Sequence, residues 1–338
     1  MIIIRRLVSK IVKLNNWVLF WSSISLILFS TLFIVYIEPE TFPTPFEGLW
    51  WVMTTVTTVG YGDYFPITTE GRTFAIFLYL VGIGLIGVVI GKIVDWFADF
   101  RKKRVEGKMP YKGRNHIIVI GWSKKAEFAV EEILQSEQAT EIVLIDTLEK
   151  APLLHDRVHY IQGNASDEET LKKANLSAGK AVIIFADGTI CDSQLADGKT
   201  LLIATSIERL VPNVHTTVEI FHEEHIQNFK HVKVDEFVLT HETVSRMAVR
   251  SAFTKGISIV YSQLMSRKIG DDLYQISPRS DWKTYRDAFD ELLREGATLI
   301  ADREHLNINR RLDEPLSKNA SLFVICNKET YQLIVNKD

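Results

Sequence analysis

Thr57-Thr58-Val59-Gly60-Tyr61-Gly62-Asp63 is the stretch from which the rest of the chain can be read. A dehydrated K⁺ ion needs stacked cages of oxygen in place of its water shell. Backbone carbonyls supply them when consecutive residues aim them at one axis. A regular strand or helix of L-residues cannot do this. Gly60 and Gly62 take positive φ at little steric cost, so they permit the unusual backbone. Val59 and Tyr61 alternate with them and can pack outward as braces, and Thr58 adds a hydroxyl oxygen at the inner end. Thr58, Val59, Gly60, Tyr61 and Gly62 are therefore the candidate K⁺ ligands, with Thr57, Asp63, Trp50 and Trp51 in support. A Gly-rich turn between two helices is the bland reading, and the flanking segments argue against it.

Hydrophobicity is concentrated before residue 98. Residues 1–16 carry Arg5, Arg6, Lys10 and Lys13 and no acid, which suits an amphipathic helix on an inner membrane surface. Residues 17–37 hold no charge and have the length of a bilayer crossing, with Trp17 and Trp21 near one end and Tyr36 at the other. The run is too long for a cleaved signal peptide and lacks its small-residue cleavage pattern, so it reads as a retained span. Pro39, Pro43 and Pro45 predict an ordered turn. Residues 46–57 then form a helix too short to cross, which must re-enter within surrounding protein. Its C-terminal end points at residues 58–63, where the negative end of the helix dipole favours a cation. Trp50 and Trp51 are expected as an aromatic cuff around Tyr61.

Residues 73–97 predict a second span with Gly82, Gly84, Gly87 and Gly91 in it. Glycine permits close helix approach and also bending. Gly82 is the expected hinge, from its position relative to the 57–63 segment. Close packing and gating stay open for the other three. Basic residues flank both spans on one side (Arg101, Lys102, Lys103, Arg104 and Lys108 after the second), while Glu38, Glu40, Glu47, Asp63 and Glu70 face Arg72 alone between them. Both termini are thus expected in the cytoplasm of a bacterial cell, with the pore in its plasma membrane and an acidic mouth outside. One such segment cannot enclose an ion, which implies a homotetramer in the lipid bilayer.

Residues 98–114 read as a basic linker. Residues 115–241 then alternate short apolar strands with amphipathic helices, which predicts a parallel sheet covered on both faces, the doubly wound Rossmann class. The expected fold class is therefore a membrane α-helical pore followed by an α/β Rossmann-like domain and a small α/β lobe over residues 270–338. Residues 242–263 predict one long helix within an interface region, 242–269. Its apolar surface could pack on a neighbouring copy or on its own sheet. The net charge of −3 gives no overall basic bias towards nucleic acid. Cys191 and Cys326 lie far apart, suit a reducing compartment and are expected as buried free thiols.

The 57–63 stretch between two spans, Trp50-Trp51-Val52-Met53-Thr54-Thr55 before it, and the later Gly121-Trp122-Ser123-Lys124-Lys125 together resemble the two-span potassium channels with a cytosolic RCK (TrkA-N-like) domain, the MthK type. The resemblance implies a ring of eight RCK domains beneath a tetrameric pore, gated by a small regulatory ligand. Four chains supply four of the eight. A shorter soluble product starting at Met109 could supply the rest, though an ordinary linker methionine is the plainer reading. For a nucleotide regulator, Gly121 and Asp146 are the candidates, with only the first glycine of the dinucleotide fingerprint present. For a divalent cation, the resemblance implies Asp192 and Glu219, with Phe221 at the third position and Asp187, Glu223 or Glu224 as substitutes. Some channels of this kind carry a pore-helix Glu that pairs with the Asp after the filter; Thr54 stands there instead.

His222-Glu223-Glu224-His225 is not His-Glu-x-x-His. A polar helix cap accounts for it better than zinc, and pH sensitivity is an open reading. Two readings rival a ligand-gated, non-enzymatic K⁺ channel. A membrane-tethered NAD-binding oxidoreductase lacks an intact glycine fingerprint and any acid/base or nucleophile constellation. A K⁺-uptake transporter component would repeat the filter-like hairpin four times within one chain or assembly unit.

Overall fold

The computed structural model describes residues 16–136, 139–266, 270–317 and 319–336. The basic segment expected over residues 1–16 lies outside them except for Asn16, as do the last three residues of the 242–269 region. The chain divides into two compact units, Met1–Lys103 and Arg104–Asp338.

In the first unit, helix α1 (Asn16–Ile37) is long and apolar enough to cross a membrane. Helix α2 (Pro45–Val56) starts where Pro45 takes the first helical position and Glu47 accepts the Thr44 N–H at 2.8 Å. A core of Ile34, Phe42, Trp51, Val52, Val56, Phe74, Ala75 and Leu78 joins α1, α2 and the N-terminal part of α3 (Thr69–Val105). Buried Glu38 ties the end of α1 to the start of α3. Its Oε2 accepts from Ile67 N at 3.0 Å, and its Oε1 accepts from Thr68 N at 2.9 Å and from the Thr68 hydroxyl. Burial opposes charge on this carboxyl, but hydrogen bonds from Thr68, Ile67 and Thr41 outweigh it and hold it below the usual carboxylate range.

Helix α3 exceeds the expected second span, 73–97, at both ends and takes in the first part of the expected 98–114 linker. The reason is local: nothing between Ala98 and Val105 breaks a helix, and Lys103 pairs with Asp99 one turn back at 2.7 Å. Gly107, at φ 62°, comes just past the helix end. The rest of the linker is part of the second unit. Ala151 N donates to Val105 O at 2.7 Å, Gln162 N to Gly107 O at 3.0 Å, and Tyr111 N to Lys173 O at 2.8 Å.

The second unit is built on six strands: β1 (Ile117–Ile120), β2 (Ile142–Asp146), β3 (Val158–Gln162), β4 (Ala181–Ile184), β5 (His215–Ile220) and β6 (Glu236–Leu239). All pairs are parallel, in the order β3-β2-β1-β4-β5-β6. Strands β1, β2 and β4 are Ile/Val/Leu-rich because helices cover both faces: α4 (Lys124–Ser136) on one side, α5 (Glu168–Lys173) and α6 (Ser193–Leu210) on the other. The order is that of a doubly wound Rossmann sheet.

The long helix expected over 242–263 is two: α7 (Thr240–Phe253) and α8 (Ile257–Leu264). Gly256, at φ 91°, precedes α8, and neither helix has a buried residue. The last lobe packs helices α9 (Tyr285–Arg294) and α10 (Lys328–Val335) with an antiparallel sheet in the order β7-β9-β8, where β7 is Asp272–Ile276, β8 Thr298–Asp302 and β9 Leu322–Cys326. Cys326 is buried there, where burial and the nearby Asp271 and Asp272 push its thiol up to about 11. Cys191 is exposed rather than buried, because it lies in the loop ahead of α6 and not on an element facing the core.

Candidate functional site: the 57–63 segment and the cleft at the strand ends

The last turn of α2 holds the segment that follows it. Thr54 O accepts from Val59 N at 2.9 Å and Gly60 N at 3.1 Å, and Thr55 O accepts from Thr58 N at 3.0 Å. Thr58, Gly60 and Gly62 have φ of 61°, 58° and 77°, with Val59 and Tyr61 on the negative side between them. Changing the sign of φ at every second residue undoes the alternation of a strand, so successive carbonyls turn to the same side. The two glycines do what their residue type permits. Thr58 is the surprise, since a left-handed β-branched residue costs roughly 1–2 kcal/mol. The period-two alternation running back from Gly62 through Gly60 is the signal that could have found it.

Trp50 Nε1 donates to Asp63 Oδ2 at 2.7 Å, and its ring stacks on Tyr61 at 5.8 Å with an interplanar angle of 5°. Trp51 does not join it. It is buried against Phe42 at 5.5 Å, so within one chain the expected cuff has a single member. The Thr54 hydroxyl donates to Trp50 O and Trp51 O within its own helix, and Asp63 takes the indole of Trp50 as partner where a glutamate was the alternative. Within one chain Val59 and Tyr61 remain 55% and 69% exposed. Gly82 is buried, and a Cβ there would lie 3.0 Å from Val56 Cγ2, whereas at Gly84, Gly87 and Gly91 nothing lies within 4 Å. Within one chain, close packing is found at Gly82 and not at Gly84, Gly87 or Gly91.

In the second unit, a cleft of about 220 Å³ opens at the C-terminal ends of β1, β2 and β4. This is where strand order reverses, the usual place for a ligand on such a sheet. Gly121 and Asp146 both line it. Gly121 is at φ 87°, and a Cβ would come within 3.1 Å of Phe185 O, so this first fingerprint position demands glycine. Asp146 accepts Trp122 N at 2.6 Å through Oδ2 and Leu148 N at 3.1 Å through Oδ1. A carboxylate has about four acceptor sites, so lone pairs remain for hydroxyl donors. Across the cleft, Lys199 Nζ lies 2.6 Å from Asp187 Oδ2. Burial would raise the Asp187 carboxyl, but hydrogen bonds from Lys199 and Thr189 bring it down to about 2. Lys199 escaped the sequence reading, because nothing local distinguishes it from a surface lysine of α6.

Asp192 and Glu219 are not brought together as metal ligands. Asp192 caps α6, accepting from Gln194 N at 2.8 Å and Leu195 N at 3.3 Å. Glu219 is buried with Lys125 Nζ 2.5 Å away, and also accepts from Ala186 N at 2.9 Å and from the Thr240 hydroxyl. Phe221, stacked on His241 at 4.7 Å, lies 5.4 Å from the same ammonium. A tethered cation therefore already neutralises the carboxylate. Among the described residues no group of three or more His, Cys, Asp or Glu could hold a metal. Asp187 is engaged with Lys199, and Glu223 and Glu224 are exposed on a short 3₁₀ helix (Glu223–Phe229) rather than an α-helix. The two histidines of that motif have separate partners: His222 Nε2 meets Ser193 Oγ at 2.7 Å and His225 Nδ1 meets buried Asp197 at 2.6 Å.

An ion-channel family profile matches residues 18–99, and a TrkA-N domain profile matches residues 117–240. YugO of Bacillus subtilis (strain 168), named as a potassium channel protein, is 36% identical over 215 residues, which is 63% of this chain and 65% of that protein. The calcium-gated potassium channel TvoK of Thermoplasma volcanium is 28% identical over 215 residues, 63% of this chain and 61% of that protein. The chain thus spans somewhat less than two-thirds of these relatives, at 65% and 61%. Among solved structures, the GsuK channel aligns with 94% of this chain and 58% of its own at 14% identity and a TM-score of 0.50, a likeness of fold alone.

Proposed function

From a membrane protein that carries an ion-channel domain followed by a TrkA-N domain, we propose a K⁺-selective channel whose opening is set by a ligand on its cytosolic part. The observation that carries this is the alternating φ of residues 58–62, anchored on the last turn of α2. Such a backbone has no use in a monomer, where Val59 and Tyr61 lie open. Four copies around an axis turn the carbonyls into stacked cages. Both termini lie in the cytoplasm and the acidic 38–70 stretch faces outward at the plasma membrane. Ion conduction here is passive, and the Rossmann-like domain serves as a sensor rather than an enzyme.

Helices α7 and α8, neither of which holds a buried residue, pack between neighbouring copies and build the cytosolic domains into a ring. Phe253, 87% exposed in one chain, is central to that contact. The regulator is a small hydroxyl-bearing ligand such as a nucleotide in the Gly121–Asp146 cleft. Ca²⁺ at Glu219 is disfavoured, because the Lys125 ammonium occupies the carboxylate. Gly82 is the point about which α3 bends.

Potassium flux into vesicles holding the full-length protein tests the reading. We expect K⁺-over-Na⁺ flux that is lost on Val59 or Gly60 substitution; selective flux surviving those changes would refute the assignment. Thermal scans of the full chain with ADP, NAD and Ca²⁺ in turn test the regulator, since a ligand that binds the native state raises the melting temperature.

A further inference from the structure

We propose that the inner half of the membrane unit holds a binding site for one anionic phospholipid, with Lys92 as its headgroup contact. A groove of about 380 Å³ runs between α1 and α3, lined by Leu19, Phe20 and Ile24 on one side and Ile93 and Trp96 on the other, with Lys92 at its wall. It is apolar apart from Lys92 and Ser23. Lys92 forms no ion pair among the described residues, although Asp95 and Asp99 lie on the same helix. An unpaired ammonium on a membrane-spanning helix calls for a partner.

Depth identifies that partner. Lys92 lies 19 residues beyond Thr73, about 28 Å along the helix and close to the ~30 Å hydrocarbon thickness. Its ammonium therefore reaches the phosphate layer while the groove beside it lies at acyl-chain level. Both helices carry aromatic rings at this end, with Trp17, Phe20 and Trp21 in edge contacts on α1 and Trp96 against Phe97 and Phe100 on α3. The tryptophans among them, Trp17, Trp21 and Trp96, mark the headgroup boundary. Direction also fits. The groove-lining positions 89, 92, 93 and 96 and the open glycines 84, 87 and 91 sit on two faces of α3, roughly 155° apart at about 100° per residue. If the glycine face lines a central path, the groove faces away from it, towards lipid. A chain in the groove and a cation in its wall suit a phospholipid of net negative charge, and Arg101 and Arg104 farther along α3 add to the field.

The inner-leaflet placement rests on the orientation given above, and the test is a binding measurement independent of ion flux. Native mass spectrometry of the full-length oligomer, delipidated and titrated with phosphatidylglycerol, phosphatidylcholine or inorganic phosphate, reads the occupancy. Phosphatidylglycerol should be retained in preference to phosphatidylcholine. Lys92→Gln should weaken it about fivefold, the effect of one interfacial cation, and Lys92→Arg should keep the preference. Equal retention of the two lipids, an undiminished preference in Lys92→Gln, or displacement by inorganic phosphate alone would overturn the proposal. So would an oligomer that falls apart on Phe20→Ala, since the groove would then belong to a neighbouring copy. Absence of K⁺ flux in every lipid would count against the channel reading and leave this result standing.

Discussion

Gly82→Ala separates packing from bending at the centre of α3. The added Cβ would lie 3.0 Å from Val56 Cγ2, 3.4 Å from Cγ1 and 3.5 Å from Cβ. Ordinary carbon contacts run at about 3.5–4.0 Å, so the methyl enters the wall formed by the end of α2. Overpacking of this kind costs about 1–3 kcal/mol, against about 1 kcal/mol gained from replacing a helical glycine. The net expectation is a loss of about 1 kcal/mol, seen as a lower melting temperature of the full-length oligomer. Val56→Ala removes the atoms that are struck, so the double variant should be more stable than the sum of the singles by about 1–2 kcal/mol. Flux then decides the second question. If Gly82 is also a hinge, the double variant regains stability but not ligand-dependent flux. Additive stability effects in the four-member cycle would refute the packing argument, and full recovery of flux in the double variant would refute the hinge.

Glu38→Gln sets an amide where two backbone N–H groups now meet carboxylate oxygens, and should cost about 1–3 kcal/mol in thermal stability. Because hydrogen bonds hold the Glu38 carboxyl below its ordinary range, its contribution is complete above about pH 4.3 and is lost as pH falls through the folded-state value; melts of Glu38→Gln should lack that acid-side decline. Trp50→Phe keeps the ring stack on Tyr61 but loses the 2.7 Å bond to Asp63. About 1 kcal/mol less restraint on the segment should appear in single-channel records as altered open lifetimes with K⁺ preference retained. Lys125→Met leaves buried Glu219 without its cation and should destabilise the full chain by about 3–5 kcal/mol, with much of the loss recovered in the Lys125→Met, Glu219→Gln double variant.

What could be read from sequence is what depends on local rules. Gly60 and Gly62 are legible because their spacing fixes a backbone. The parallel sheet is legible because strands buried on both faces are continuously apolar. The misreadings have equally definite causes. The linker was marked by Gly107, Pro110 and Gly113, but a helix runs until a breaker stops it, so α3 reached Val105. The 242–263 helix was read through Gly256, where Thr254-Lys255-Gly256 was a stop signal outweighed by the apolar period around it. The fate of Glu219 could not be read at all. Its partner Lys125 is 94 residues away on the other side of the strand order, and only the folded sheet brings them together. Trp50 and Asp63 are nearer in sequence, yet their bond depends on how the segment leaves α2, which no periodicity records.

On the proposed reading, the bonds made by residues 105–115 bear on how a ligand signal reaches the pore. Within the second unit, Val105 O, Gly107 O and the Tyr111 and Asn115 N–H groups are bonded to Ala151, Gln162, Lys173 and Ala178. These residues flank or belong to β3 and the helices beside it, and β3 is bonded to β2, whose end carries Asp146 in the cleft. On the proposed channel reading, a displacement of that sheet edge would carry Val105, the last residue of α3, with it. The energy required is modest. Moving a closed-to-open ratio from 1:99 to 99:1 takes about 5.5 kcal/mol, which the four clefts of the proposed tetramer would divide into about 1.4 kcal/mol each, a tenfold affinity difference per site. That is within reach of one charge-assisted hydrogen bond made in only one state. The Asp187–Lys199 pair supplies a candidate, since a ligand phosphate that drew Lys199 away would have to release the carboxylate it now holds. Lys199→Met should therefore reduce the ligand-induced change in flux while leaving K⁺ selectivity intact. A full ligand response in that variant would move the coupling elsewhere in the cleft.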